Sequence, residues 1–273
     1  MRFSQSCRTV REFRHVHRPV VAMLDEYEAG YVESAHKHPR AQLLYCTSGV
    51  MSVQTEEGAF LVPPQRALWL PADLVHEVIC RSKVSARMLY VDQNARPNMP
   101  TRCRVLEVTD FLRALIVEAT TFPHDYQVDG REARIVELLL DEVELMPAAP
   151  LFAPLPADQR LAKVCRAMLR QPSQTDDLKE WAQKAGVSRS TLARLFRREA
   201  GMSFGEWRQR LRLLEAMSRL AAGHPVTTVA MDVGYHSPSA FTAMFRRTFG
   251  TTPTEYFAGT MAAKPAASEP AGE

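Results

Sequence analysis

The stretch WAQKAGVSRSTLARLFRREAGMSFGEW (residues 181–207) returns as VAMDVGYHSPSAFTAMFRRTFGTTPTEY (residues 229–256). Ala182 matches Ala230 and Gly186 matches Gly234 at a separation of 48. Ser188 then matches Ser237, Leu192 Phe241, Leu195 Met244, Phe196 Phe245, Gly201 Gly250 and Trp207 Tyr256, all at 49, so one residue was inserted at the turn near His236. An internal repeat of this kind marks a duplicated structural unit. The alanines are small where one helix must cross another closely, and the glycines permit the positive φ of a sharp turn. Ser188 and Ser237 stand where a hydroxyl caps the next helix, and Pro238 occupies a first helical turn, where its missing N–H costs nothing. The pattern predicts two helix-turn-helix units, over 178–199 and 226–249.

Within the first unit Leu192, Leu195 and Phe196 recur at i, i+3 and i+4 and share one buried face. That leaves Arg189, Ser190, Ala193, Arg194 and Arg197 outside, with Arg198 beside them. In the second unit the same outer positions are Pro238, Ser239, Thr242, Ala243 and Arg246, followed by Arg247. Between the units SFGEWRQRLRLLEAMSRLAAG (203–223) predicts a helix capped by Ser203 and stopped by Gly223. About 20 helical residues span about 30 Å, close to the roughly 34 Å between successive major-groove faces, so one chain can present both outer faces to one side of bent DNA. Charge divides accordingly. Residues 158–257 hold 16 Lys or Arg against 9 Asp or Glu, net +7, whereas residues 1–157 hold 17 against 20, net −3. The basic half suits a phosphate-facing surface.

The region from about Leu161 to Phe257 resembles the AraC/XylS family of transcription regulators. The resemblance rests on Gly234-Tyr235, on Ser237, Ser239 and Phe241, on Phe245-Arg246-Arg247, and on Gly250 with Pro253. It implies binding of double-stranded promoter or operator DNA, a homodimer, contact with RNA polymerase if the protein is an activator, and a bacterial cytoplasmic setting. By matching position it assigns base reading to Ser190, Ala193 and Arg194. Of these, Arg194 has the guanidinium that pairs bidentately with guanine O6 and N7. In the second unit the reading positions Ser239, Thr242 and Ala243 are short, which shifts that helix toward phosphate contact through Arg246 and Arg247. Regulators of this kind often control an adjacent transporter or catabolic operon.

The other half reads differently. From Val20 to Val91, short apolar or alternating runs (VVAML, QLLYC, VMSVQT, AFLV, ALWL, VHEVI) separated by Gly and Pro predict about eight strands of a β-barrel over residues 20–100. An arm (1–19) precedes it. After Pro100 apolar residues recur at helical spacing: Phe111, Leu112, Leu115, Ile116 and Ala119, then Ile135, Leu138, Leu139 and Val143. Two antiparallel helices over 101–146, a dimerisation hairpin or a pair packed on its own barrel, are expected. A proline-rich linker (147–157) leads to the DNA-binding domain (158–257), and residues 258–273 lack the apolar content to fold. The fold class is thus two domains, an all-β cupin-like barrel and an all-α domain with duplicated helix-turn-helix units joined by a long helix.

Gly30, His36, His38, Gln42 and Gly49 have the spacing of the first cupin motif, with Gln42 where glutamate is usual. Pro71, Asp73 and His76 resemble the second, with Asp73 replacing glycine and Cys80 the closing asparagine. His36 and His38 lie two apart on a predicted strand, so both side chains point to one face, and a barrel can bring His76 opposite. Two readings stand side by side: His36, His38 and His76, with Gln42, hold a divalent transition metal, or the imidazoles line the pocket of a small-molecule effector, with Tyr45 and Trp69 as aromatic walls. The chain accordingly reads as a ligand-responsive regulator, not an enzyme. A cupin dioxygenase or isomerase fused to a DNA-binding domain would need bound metal, which Gln42, Asp73 and Cys80 weaken, and no nucleophile with a partner base is legible. A ligand-independent architectural protein would bind DNA with little sequence preference. The five widely spaced cysteines contain no CxxC pair and read as reduced thiols; no membrane span or secretory signal is legible.

Overall fold

Ten strands form two antiparallel sheets, and nine helices complete the described part of the chain, which in this computed structural model comprises residues 16–147, 151–171, 174 and 176–261. The strands are β1 (Val20–Tyr27), β2 (Val32–His36), β3 (Ala41–Ser48), β4 (Met51–Thr55), β5 (Gly58–Val62), β6 (Arg66–Leu70), β7 (His76–Cys80), β8 (Val84–Val91), β9 (Arg104–Glu107) and β10 (Phe152–Pro154). One sheet runs β1-β8-β3-β6-β9 and the other β10-β5-β4-β7-β2. Alternation puts Leu44, Cys46, Leu68, Met88 and Tyr90 of the first sheet together with Val53, Phe60, Val78 and Cys80 of the second. This interior is the N-terminal core.

The first sheet's outer face carries Leu43, Tyr45, Trp69 and Leu89, which pack under helices α1 (Asp110–Ala119) and α2 (Arg131–Leu145). The hairpin therefore lies on its own barrel. On α2 the buried residues are Val136, Leu139, Leu140 and Val143, whereas Leu138 is exposed, so the helix is turned from the face predicted in the sequence. The run Leu138-Leu139-Leu140 admits either register, and packing on the sheet selects one. Residues Arg104–Glu107, predicted as part of the hairpin segment, form the edge strand β9 against β6.

The segment predicted as linker contains β10, which pairs with β5 as an edge strand, where proline is tolerated. Gly58 makes this pairing feasible. Its φ is +155°, and a Cβ there would stand 2.5 Å from the Ala153 carbonyl oxygen. Gly58→Ala is expected to destabilise the fold by about 1 to 3 kcal/mol through strain and displacement of β10. A thermal-unfolding midpoint equal to wild type would contradict that.

The C-terminal half comprises α3 (Gln159–Arg170), α4 (Leu178–Lys184), α5 (Arg189–Glu199), α6 (Phe204–Ala221), α7 (Val226–Asp232), α8 (Pro238–Phe249) and α9 (Pro253–Met261). The last helix corrects the expected unfolded tail at 258–261; residues 262–273 lie outside those described, as do residues 1–15 of the arm. The repeat-matched pair Trp207 and Tyr256 faces the N-terminal half: the Trp207 indole donates to the Pro154 carbonyl at 2.9 Å, and the Tyr256 hydroxyl donates to the Pro64 carbonyl at 2.9 Å. Helix α6 packs on β5 and β10. Phe60, Leu61 and Val62 are accordingly buried in succession, which an outward-facing strand would not permit.

Candidate nucleic-acid interface and effector site

Two helix pairs, α4–α5 and α7–α8, share the same turn and cap contacts, with one extra residue, near His236, in the second. Gly186 and Gly234 turn the chain at φ +67° and +83°. After each, the next amide donates back over the turn, Val187 to Ala182 at 3.0 Å and Tyr235 to Ala230 at 2.9 Å. Ser188 caps α5 by accepting from the Thr191 amide, and Ser237 caps α8 by accepting from Ala240. The two units thus obtain the same turn from the same residue types. Leu192, Leu195 and Phe196 are buried under α5, as are Phe241, Met244 and Phe245 under α8.

What remains outward on α5 is Arg189, Ser190, Arg194, Arg197 and Arg198, with Ala193 half-buried. Ser190, Ala193, Arg194 and Arg197 stand at i, i+3, i+4 and i+7 and form one stripe. Arg198 pairs with Glu199 at 2.8 Å. Arg194 has no ion pair among the described residues. On α8 Ser239, Ala243, Arg246 and Arg247 are exposed and Thr242 half-buried. The arginines fall in its last turn, where positive charge also complements the helix dipole. Helix α6, 18 residues long, separates the pairs and spans about 27 Å.

In the barrel, His36, His38 and His76 converge. Their ligand atoms all lie within 4.8 Å of one another, and the ring centroids of His36 and His76 are 4.3 Å apart. Strand alternation alone does not produce this. His36 is the last residue of β2, opposite His76 of β7, but His38 lies beyond the strand end in the connection to β3. The Asp73 amide fixes that connection by donating to the His38 carbonyl at 2.9 Å. Asp73 adopts φ +60°, a left-handed conformation that glycine favours and aspartate tolerates.

Each imidazole is oriented by a carbonyl two residues away: His36 Nδ1 meets Ser34 at 2.9 Å, His38 Nδ1 meets Arg40 at 2.6 Å and His76 Nδ1 meets Leu74 at 2.9 Å. Carbonyls only accept, so each Nδ1 carries the proton and each Nε2 a lone pair. The Gln42 amide lies 3.1 Å from His38 Nε2. Burial pulls the His76 pKa down to about 3 and lowers that of His38, which keeps both rings neutral at physiological pH. Burial also pushes the Cys80 thiol up to about 12, so it is no thiolate.

Tyr45 and Trp69 do not line this site. Gln42 and Tyr45 differ in parity along β3, and Trp69 pairs with Leu43, so both aromatics point to the opposite face of the sheet, under α1 and α2. The Trp69 indole donates to the Pro100 carbonyl. The side chains the sequence reading missed are Tyr90, whose ring centroid is 5.2 Å from that of His38, and Glu33, buried with a carboxylate oxygen 3.7 Å from His36 Nε2. Tyr90 pairs with Gln42 across β3–β8, a signal available from alternation. Glu33 reaches the site only because a bulge between Glu33 and His36 reverses the parity of β2.

A family model described as a helix-turn-helix domain matches residues 181–259, and one described as an AraC-like ligand binding domain matches residues 18–125. A ligand-binding β-domain followed by such a helical domain is the organisation of a DNA-binding transcription regulator. Over 235 residues the chain is 30% identical to the HTH-type transcriptional regulator NimR of Escherichia coli, covering 86% of each. The chain belongs to the AraC family. It is also 41% identical over 76 residues to the regulatory protein SoxS of Salmonella typhimurium, covering 28% of this chain and 71% of SoxS. ToxT of Vibrio cholerae aligns over 90% of this chain and 99% of its own at 11% identity with a TM-score of 0.39. No helix among the described residues is long and apolar enough to cross a membrane.

Proposed function

We propose that the protein is a one-component regulator in which α5 reads bases, α8 clamps phosphates, and occupancy of the histidine-lined end of the barrel alters promoter binding. The observation that carries it is the stripe Ser190, Ala193, Arg194 and Arg197 on a helix whose opposite face is buried. The barrel's ligand is a small molecule or metal held at His36, His38, Gln42 and His76, an effector rather than a substrate. The operon it controls is a neighbouring transporter or catabolic one. The protein acts as a homodimer across the hairpin, where Phe111, Leu138 and Leu145 are exposed on α1 and α2, and contacts RNA polymerase if it activates.

Fluorescence anisotropy with duplexes from the adjacent intergenic region, against a scrambled duplex of equal length, tests this reading. Wild type is expected to prefer the intergenic DNA by at least about 10³-fold, with two chains per site. Arg246→Ala and Arg247→Ala are expected to weaken both duplexes alike and to reduce the salt slope by about 1 each. Equal affinity for both duplexes in wild type would support an architectural protein instead.

A further inference from the structure

We infer that His36, His38 and His76 bind one divalent first-row transition-metal ion through their Nε2 atoms. The inference concerns the barrel alone and stands whether or not the DNA-reading assignments hold.

The donor set decides the chemistry. With each Nδ1–H committed to a carbonyl, each ring keeps its lone pair on Nε2, and the ligand atoms of the three residues lie within 4.8 Å of one another. An anionic ligand would need N–H groups aimed at it, whereas converging lone pairs repel an anion and attract a cation. A second observation points the same way. His76 is 2% exposed, and its Nε2 has no hydrogen-bond partner although it is buried. Such an orphaned polar atom is costly to bury, and a metal–nitrogen bond would give it the partner it lacks. The anchoring of Nδ1 by backbone carbonyls is also the outer-shell arrangement that orients metal-ligating histidines.

Metal–imidazole bonds of about 2.0 to 2.1 Å place tetrahedral ligand atoms roughly 3.4 Å apart. The nitrogens here lie within 4.8 Å, so the rings draw in by about an ångström on binding. With Nδ1–H committed to Arg40, His38 Nε2 accepts from the Gln42 NH2 once the amide is turned end for end; on metal binding that amide is released and its oxygen becomes available as a neutral donor. Glu33, 6% exposed beside His36, contributes the negative charge that a dication in a partly dry site requires. Imidazole ligands with at most one carboxylate suit iron, cobalt, nickel, copper or zinc and not calcium or magnesium. His36 is only half-buried, so the fourth position opens toward solvent on its side.

The test uses the full chain, stripped of metal by chelator and then dialysed, titrated with Co²⁺. The expected result is one equivalent bound, with visible ligand-field absorption and a thermal-unfolding midpoint that rises with Co²⁺ concentration. His76→Ala and His36→Ala are each expected to weaken binding more than about a hundredfold, while His224→Ala, exposed in the C-terminal half, retains it. If His76→Ala fails to fold, His36→Ala at the rim carries the comparison. Absence of saturable 1:1 binding in wild type, or binding unaffected by the triad substitutions, would overturn the inference.

Discussion

Trp207→Ala is expected to cost about 3 to 5 kcal/mol of stability, as truncation of a fully buried indole does. Trp207 is 0% exposed, touches Phe196 with ring centroids 6.0 Å apart, and donates to the Pro154 carbonyl. The substitution therefore removes core volume beneath α5 and also the link to β10. A loss of that size is a large share of the 5 to 15 kcal/mol that holds an ordinary domain folded, so the C-terminal half is expected to lose its fold first. Trp207→Phe separates the two contributions. It keeps most of the aromatic contact but leaves the Pro154 carbonyl without its donor, at about 1 to 3 kcal/mol. Urea unfolding of both variants checks this. Equal midpoints for Trp207→Ala and wild type would show that α6 does not seat on the N-terminal half as described.

The second large effect is on DNA affinity. Arg194 is exposed at the centre of the α5 stripe, without an ion pair among the described residues and with the reach of a bidentate guanine contact. Arg194→Ala is expected to cost about 1 to 3 kcal/mol of binding, concentrated at one base pair, so the variant stops discriminating there while keeping its salt dependence. Arg194→Lys should recover little, because an ammonium lacks the planar fork. Unchanged affinity and unchanged base preference in Arg194→Ala would remove α5 from the role of reader.

The duplicated units were legible in the sequence because their determinants are local: a cap, a glycine and an i, i+3, i+4 triplet act within a dozen residues. Strands β9 and β10 were not, since four and three residues at a sheet edge carry little periodicity. The histidines were located by spacing, yet the reason they converge is tertiary. His38 sits past the end of β2, held by the Asp73 amide on its carbonyl and by the Arg40 carbonyl and Gln42 amide on its ring. Glu33 was hidden by a bulge, which no alternation pattern announces. Tyr45 and Trp69 were misassigned although the parity against Gln42 and Leu70 was available; both are large and buried, but on the wrong side of the sheet. On α2 three consecutive leucines left the register open until packing chose it.

Dimethyl sulfate protection of guanine N7 on the intergenic DNA next to the gene reports base reading by α5, because N7 lies in the major groove where that helix would enter. Each bound chain is expected to leave two protected blocks on one face of the duplex with centres about 10 to 10.5 base pairs apart. The block facing α5 should lose protection at one guanine in Arg194→Ala, and the α8 block should persist. Binding without any N7 protection, or protection spread evenly along the duplex, would contradict a base-reading first unit held in register by a second.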